Sequence, residues 1–325
     1  MKKYFVFAAA VIALAACSSE EENVQTWNGE IRLSYVDVIQ TRAGQEIQPK
    51  AFDSGESLDV FINEHTTGTP SITYTQPLIY TTENNGALTE PSTQYFPQNG
   101  NGVDIYGVYP SGTADDVNAE SISFSVQNDQ STTAGYKASD LMVGEPKDGN
   151  PVAKTANSVQ LNFLHCLSKI NINISTGDGV DVNDLVGATV TIYTNTNDAI
   201  FNIQDALEQD EKVTAVESQG QAAGPTVIAG TLTASGNNDF EGLSAIIIPQ
   251  DIPAGSLFIA VTATVGQTTT TYRYSLPTIV NVVSFESGKV YTYNLKVKKS
   301  GLTLDNTTIT DWDDGGSVDG EAIQN

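Results

Sequence analysis

Ser121-Ile122-Ser123-Phe124-Ser125-Val126 alternates hydroxyl and apolar side chains without a break. A period of two places Ile122, Phe124 and Val126 on one side of an extended chain and the serines on the other, the pattern of a strand with one buried face. The rhythm recurs down the chain. Leu257, Ile259, Val261 and Ala263 share a face, as do Tyr291, Tyr293, Leu295 and Val297, and Ile170, Ile172 and Ile174 alternate with Lys169, Asn171 and Asn173. Helical periodicity is scarce, and Ile203 to Lys212 (IQDALEQDEK) is the best short stretch for it. Turn-forming GDG, NGNG, SGNN and ESGK segments punctuate the strands at roughly even spacing. Many short strands joined by polar turns predict an all-β chain of two tandem Greek-key-like β-sandwich domains.

The N-terminus reads MKKYFVFAAAVIALAACSSEEEN. Lys2 and Lys3 precede thirteen apolar or small residues, Tyr4 to Ala16, too few for a membrane-spanning helix of about 20 residues. Residues 1–16 therefore read as a cleaved signal peptide. Leu14-Ala15-Ala16-Cys17 resembles the lipobox of bacterial lipoproteins, which implies cleavage between Ala16 and Cys17 and lipidation of Cys17. The Glu20-Glu21-Glu22 run is either a solvated linker or an acidic tag directing the lipoprotein to the outer face of the outer membrane. With Cys17 acylated, Cys166 is the remaining cysteine and no intramolecular disulfide forms; its apolar neighbours suit a packed core thiol. Loss of Lys2 and Lys3 takes the formal charge from −24 to −26, which excludes nucleic acid as a partner.

Removing 16 of 325 residues leaves 309, more than one typical domain of about 100–200 residues. A loop-rich run, Glu145 to Pro151, separates two strand-rich parts, and the strand rhythm restarts at Ser158. The expected organisation is a lipidated leader and first strand over 17–43, an N-terminal β-sandwich over 44–155, and a C-terminal β-sandwich with a tail over 156–325.

Catalytic patterns are missing. A serine or cysteine nucleophile ordinarily needs a histidine base, and there are two histidines. His65 lies in a loop-like stretch, and His165 sits in an apolar run that suits a core position. No nucleophile elbow, zinc helix or phosphate-binding glycine loop is present. Asp178, Asp181 and Asp184 offer oxygen ligands but not the spacing of a calcium loop, and they read as a solvated acidic turn, as do Asp311, Asp313 and Asp314. No metal, cofactor or enzymatic activity is expected.

Several segments, in order, resemble the Bacteroidetes fimbrillin superfamily, the subunits of type V pili, and its fimbrillin-like branch in particular. They are the lipobox, Thr41-Arg42-Ala43 after a strand, Phe52-Asp53-Ser54-Gly55-Glu56 before an apolar strand, and Val103 to Pro110 ending in Tyr-Pro. Further on come Asp129-Gln130-Ser131, Ser139 to Met142, Leu161 to Ile170, Ile248-Pro249-Gln250, Gly288 to Leu295 and Ile309 to Trp312. The resemblance implies a structural or adhesive pilus subunit that reaches the cell surface as an outer-membrane lipoprotein and ends in the fimbrium. It also implies assembly by β-strand exchange with other pilus subunits. A trypsin-like, arginine-specific protease would cut between Arg42 and Ala43 and release the first strand, whose Ile31, Leu33 and Tyr35 plug an apolar groove. Arg42 as a plain linker residue, with the strand retained, is the other reading. It corresponds to a monomeric surface lipoprotein that binds glycan or peptide without polymerising. The tail after Trp312 is acidic and glycine-rich, with Val318 and Ile323 as its apolar anchors, and so makes a poor donor strand.

Overall fold

The structure, a computed structural model, describes residues 27–35, 52–66, 77–84, 86–90, 92–116, 121–207, 213–216, 225–234, 240, 242–265, 267–312 and 320–321. The first part of the chain carries β1 (Leu33–Tyr35), β2 (Ser57–Glu64), β3 (Leu78–Thr82), β4 (Ala87–Thr89), β5 (Val103–Tyr109), β6 (Ile122–Ser125), α1 (Thr133–Lys137), β7 (Met142–Pro146) and β8 (Val159–His165). Seven of these strands close into a barrel in the order β1-β4-β3-β2-β5-β7-β8, with β8 next to β1. Alternation sorts the side chains of its walls. Val60, Ile62, Ile105 and Met142 point into the barrel core, whereas Phe61, Val108 and Val143 from the same strands join the core of the second part. One wall, β2-β5-β7, thus serves two cores.

The second part carries β9 (Ser168–Thr176), α2 (Val182–Leu185), β10 (Thr189–Tyr193), β11 (Asp198–Phe201), α3 (Ile203–Leu207), β12 (Val213–Ala215), β13 (Thr226–Thr231), β14 (Leu243–Ile247), β15 (Gln250–Pro253), β16 (Leu257–Val265), β17 (Thr268–Ser275), β18 (Val282–Phe285), β19 (Lys289–Lys298), β20 (Gly301–Asp311) and β21 (Gly320–Glu321). A sheet in the order β13-β10-β16-β17 faces another in the order β14-β9-β19-β20-β21. Ile170, Ile172, Ile174, Tyr293, Leu295 and Val297 fill the space between them with Val190, Ile192 and Val261. On the other face of β9, β19 and β20, Asn173, Asn294 and Asn306 bond in series at 2.8 and 2.6 Å. Two small sheets, β12-β11-β6 and β15-β18, complete the fold.

The chain is all-β, with three helices of four or five residues among the described residues. The helical stretch expected over 203–212 is described as α3 as far as Leu207; residues 208–212 lie outside the described residues. Sheet membership does not follow the division expected near residue 155. β8, expected to open the second sandwich, pairs with β7 and β1 and closes the barrel. β6, which lies before the division, pairs with β11. The physical reason is non-local pairing: Ile122 and Phe124 supply a buried face that the second core absorbs. Just beyond, the Gln130 amide bonds both the N–H and the C=O of Ile246, each at 2.8 Å, tying the two parts through a buried side chain.

Inside the barrel, Gly107 and Gly144 are register partners on β5 and β7, and the Phe163 ring lies across both. A Cβ on Gly107 would sit 2.5 Å from that ring, and one on Gly144 2.8 Å. Gly107→Ala is therefore expected to cost about 1–3 kcal/mol through overpacking, read as a lower urea midpoint. Adding Phe163→Leu should recover part of the loss.

Candidate functional site

The first strand is short, yet it carries a disproportionate share of barrel closure. Leu33 and Ser34 pair antiparallel with Leu88 and Ala87 of β4, while Leu33, Ser34 and Tyr35 pair parallel with Val159, Gln160 and Leu161 of β8. Hydrogen bonds from Ile31 N to Gln94 O, from Tyr35 N to Gly86 O and from Val159 N to Arg32 O, each 2.8 Å, extend the contact at both edges. In the sheet order, β4 and β8 meet only through β1.

Side-chain alternation within the strand fits this position. Ile31, Leu33 and Tyr35 are buried, Arg32 is exposed and Ser34 is half-buried. Tyr35 donates its phenol hydrogen to Glu83 O at 3.1 Å and packs edge-on against Phe52, with ring centroids 5.2 Å apart. Phe52 in turn meets Tyr109 at 5.2 Å and Phe163 at 4.9 Å, so it is the hub of the aromatic contacts. Burial raises the Tyr109 phenol well above its ordinary pKa, with Glu56, Asp140 and Asp53 adding to the shift, and burial likewise raises Tyr80. Both phenols stay neutral in the barrel core. Lys137 of α1 forms ion pairs with Asp53 and Glu56, pinning the turn that carries Phe52.

A second polar cluster sits where the two parts join. His165, at the end of β8, holds Asp140 through Nδ1 at 2.7 Å, and its ring stacks on Trp312 at 4.0 Å and 4°. The Lys169 ammonium lies 5.6 Å from the Trp312 ring. Burial pushes the Lys169 pKa down, opposed by the Asp140 charge. Trp312 also donates its backbone N–H to Gly288 O at 2.7 Å. His165 thus braces β8, β9 and the end of β20 from a buried position, and Cys166 beside it is fully buried. His65 is half-exposed and pairs with Asp104 at 3.0 Å.

Asp181 of the acidic turn caps α2 by accepting from Asn183 N at 2.9 Å. Among the described residues no cluster of three or more His, Cys, Asp or Glu is placed to hold a metal ion. Ala16, Cys17, Arg42 and Ala43 lie outside the described residues, as do Val318 and Ile323 of the tail. Sequence periodicity points to Ile31, Leu33 and Tyr35 but not to the partners that receive them, Leu88, Val159 and Leu161. Gly107 and Gly144 carry one usable signal, a glycine inside a strand where another group approaches closely.

The described residues thus form a barrel closed by the first strand and, beside it, a β-sandwich. The fimbrillin-like family model matches residues 41–312, most of the chain, and the protein belongs to that family. It is a family of adhesive and structural proteins rather than enzymes, and membership implies association with other pilus subunits at the cell surface. The fold is shared with solved structures. A candidate cell adhesion protein from Bacteroides uniformis is 22% identical, with a TM-score of 0.59 over 87% of this chain and 98% of that one. Another from Bacteroides ovatus is 18% identical, with a TM-score of 0.62 over 87% and 96%. A fimbrial protein from Bacteroides vulgatus is 14% identical, with a TM-score of 0.52 over 88% and 100%. A search of curated protein sequences found no match.

Phe52→Ala removes the hub that Tyr35, Tyr109 and Phe163 share. A loss of about 3–5 kcal/mol is expected in urea denaturation. Ile79→Ala, at a side chain 54% exposed, should change stability by less than about 0.5 kcal/mol.

Proposed function

We propose that this protein is a structural or adhesive subunit of a type V pilus, exported as a lipoprotein on Cys17 and assembled by strand exchange after cleavage between Arg42 and Ala43. The observation that carries the proposal is the position of β1. It is a short strand that joins β4 to β8, and it leads directly into the segment that contains Arg42. Its withdrawal would uncover two backbone edges and an apolar slot, the two things an incoming strand needs. The family match begins at residue 41, so β1 lies outside the matched region, in keeping with a detachable part.

Magnitudes favour a strand that can leave. Burying Ile31, Leu33 and Tyr35 stabilises by about 1.5–3 kcal/mol each, roughly 5–9 in all. Ordering the five residues 31–35 costs about 1–2 kcal/mol per residue, roughly 5–10. Burial and ordering nearly cancel, so retention depends on the backbone hydrogen bonds and on covalent attachment, which holds the strand at high effective concentration. Cutting the chain after Arg42 removes the second of these.

A monomeric surface lipoprotein that binds glycan or peptide is the competing reading, and two observations favour it. β21 of the tail pairs with Thr308 and Ile309 of its own chain. A polar cleft of about 350 Å³ lined by Gln127, Asn128, Asn197 and Asp198 also lies open beside β6.

Limiting digestion of the signal-less protein with a trypsin-like protease separates the two. Strand exchange predicts one early cut after Arg42, then a ladder of oligomers, and Arg42→Ala should abolish both. A protein that is cut at Arg42 and stays monomeric would count against assembly by this route. Leu33→Glu places a charge in the slot and should speed loss of the strand from the cut protein. An unchanged rate of loss would show that burial of Leu33 does not hold it.

A further inference from the structure

β17 reads Thr268-Thr269-Thr270-Thr271-Tyr272-Arg273-Tyr274-Ser275 and is the outermost strand of its sheet, paired on one side with β16. Among the described residues no backbone hydrogen bond reaches its other side. Edge strands of natural sheets are ordinarily blunted by lysine, proline, a bulge or an inward-facing charge. β17 holds no lysine and no proline. Its one charge, Arg273, is exposed, and the register shift of the hairpin lies at its far end, between Leu257 and Ile259 of β16. Six of its eight residues are threonine or tyrosine, types that favour strands.

Charge singles out the same place. The chain has 39 acidic residues in 325, which would put about four in any stretch of 34. Residues 252–285, spanning β16 and β17, contain none, and Arg273 is their only charged residue. Two copies of a strongly acidic chain repel over most of their surface, and β16 and β17 themselves add no negative charge to that repulsion. The loop after β17 adds exposed apolar side chains, with Ile279 72% exposed and Val280 44%. On the outward face, Thr262 and Thr264 of β16 already bond Thr271 and Thr269 across the hairpin at 3.2 and 3.0 Å.

We propose that two copies of this chain pair edge to edge along β17, antiparallel about a two-fold axis through Thr271, giving one continuous sheet across the pair. That register sets Thr271 against its own copy, a favourable cross-strand pair. It sets Arg273 against Thr269, so the two arginines do not meet. Self-complementarity is what a two-fold contact requires. The contact uses neither β1 nor its slot and is independent of strand exchange, so it would join subunits side by side.

Sedimentation velocity on the uncut chain tests this. The expected result is a concentration-dependent dimer. Thr271→Glu sets two like charges opposite each other and should weaken dimerisation by about tenfold or more. Thr271→Arg should do the same, and mixing the two variants should restore a mixed dimer, which shows that both are folded. Thr271→Cys should form a disulfide-linked dimer on mild oxidation, whereas Ser123→Cys on β6 should not. A chain that stays monomeric at its highest soluble concentration would overturn the proposal, as would a dimer that both charged variants leave intact.

Discussion

Barrel closure is the constraint on which the rest depends. Among the described residues, β4 and β8 each present a backbone edge that β1 alone satisfies, and unpaired buried N–H and C=O groups are costly. Two residues paired with β4 and three with β8 meet that requirement, helped by Ile31, Leu33 and Tyr35 turned into the core. A sheet closed by so short a strand, which precedes the matched family region, has one short seam and is held more firmly elsewhere. The firm part is the β2-β5-β7 wall, whose two faces are buried in two different cores.

That shared wall joins the two parts of the molecule. Phe61, Val108 and Val143 leave the barrel for the second core, and β6 crosses to pair with β11. Asp140, His165 and Trp312 then lock the corner where β8 becomes β9. A histidine and a carboxylate in contact would suggest catalysis on an open surface. Here the ring is pressed flat against an indole and buried, so the pair is a brace.

Much of this was legible in the residues themselves. The period of two over Ser121 to Val126 identified β6 and its buried face, and the alternation of Ile170, Ile172 and Ile174 identified β9, because strand geometry is local. Partnership is another matter. Nothing in Ile122 or Phe124 says that β11, more than 70 residues later, will receive them. The run from Glu145 to Pro151 resembled a domain boundary because turn residues report where a strand ends and carry no record of which sheet the next one joins. At the candidate site, the inward set Ile31, Leu33 and Tyr35 could be read from spacing. Their neighbours Leu88, Phe52 and Val159 could not, since each comes from a distant segment brought in by the barrel.

The most direct test of a replaceable closing strand is amide hydrogen exchange at Val159, whose N–H bonds Arg32 O at 2.8 Å. It should be measured before and after cleavage at Arg42. Departure of β1 should raise exchange at Val159 toward the unprotected rate while the β9 and β19 amides keep their protection. Full protection of Val159 in the cut protein would contradict the central claim, because the strand would then stay in place without its covalent tether.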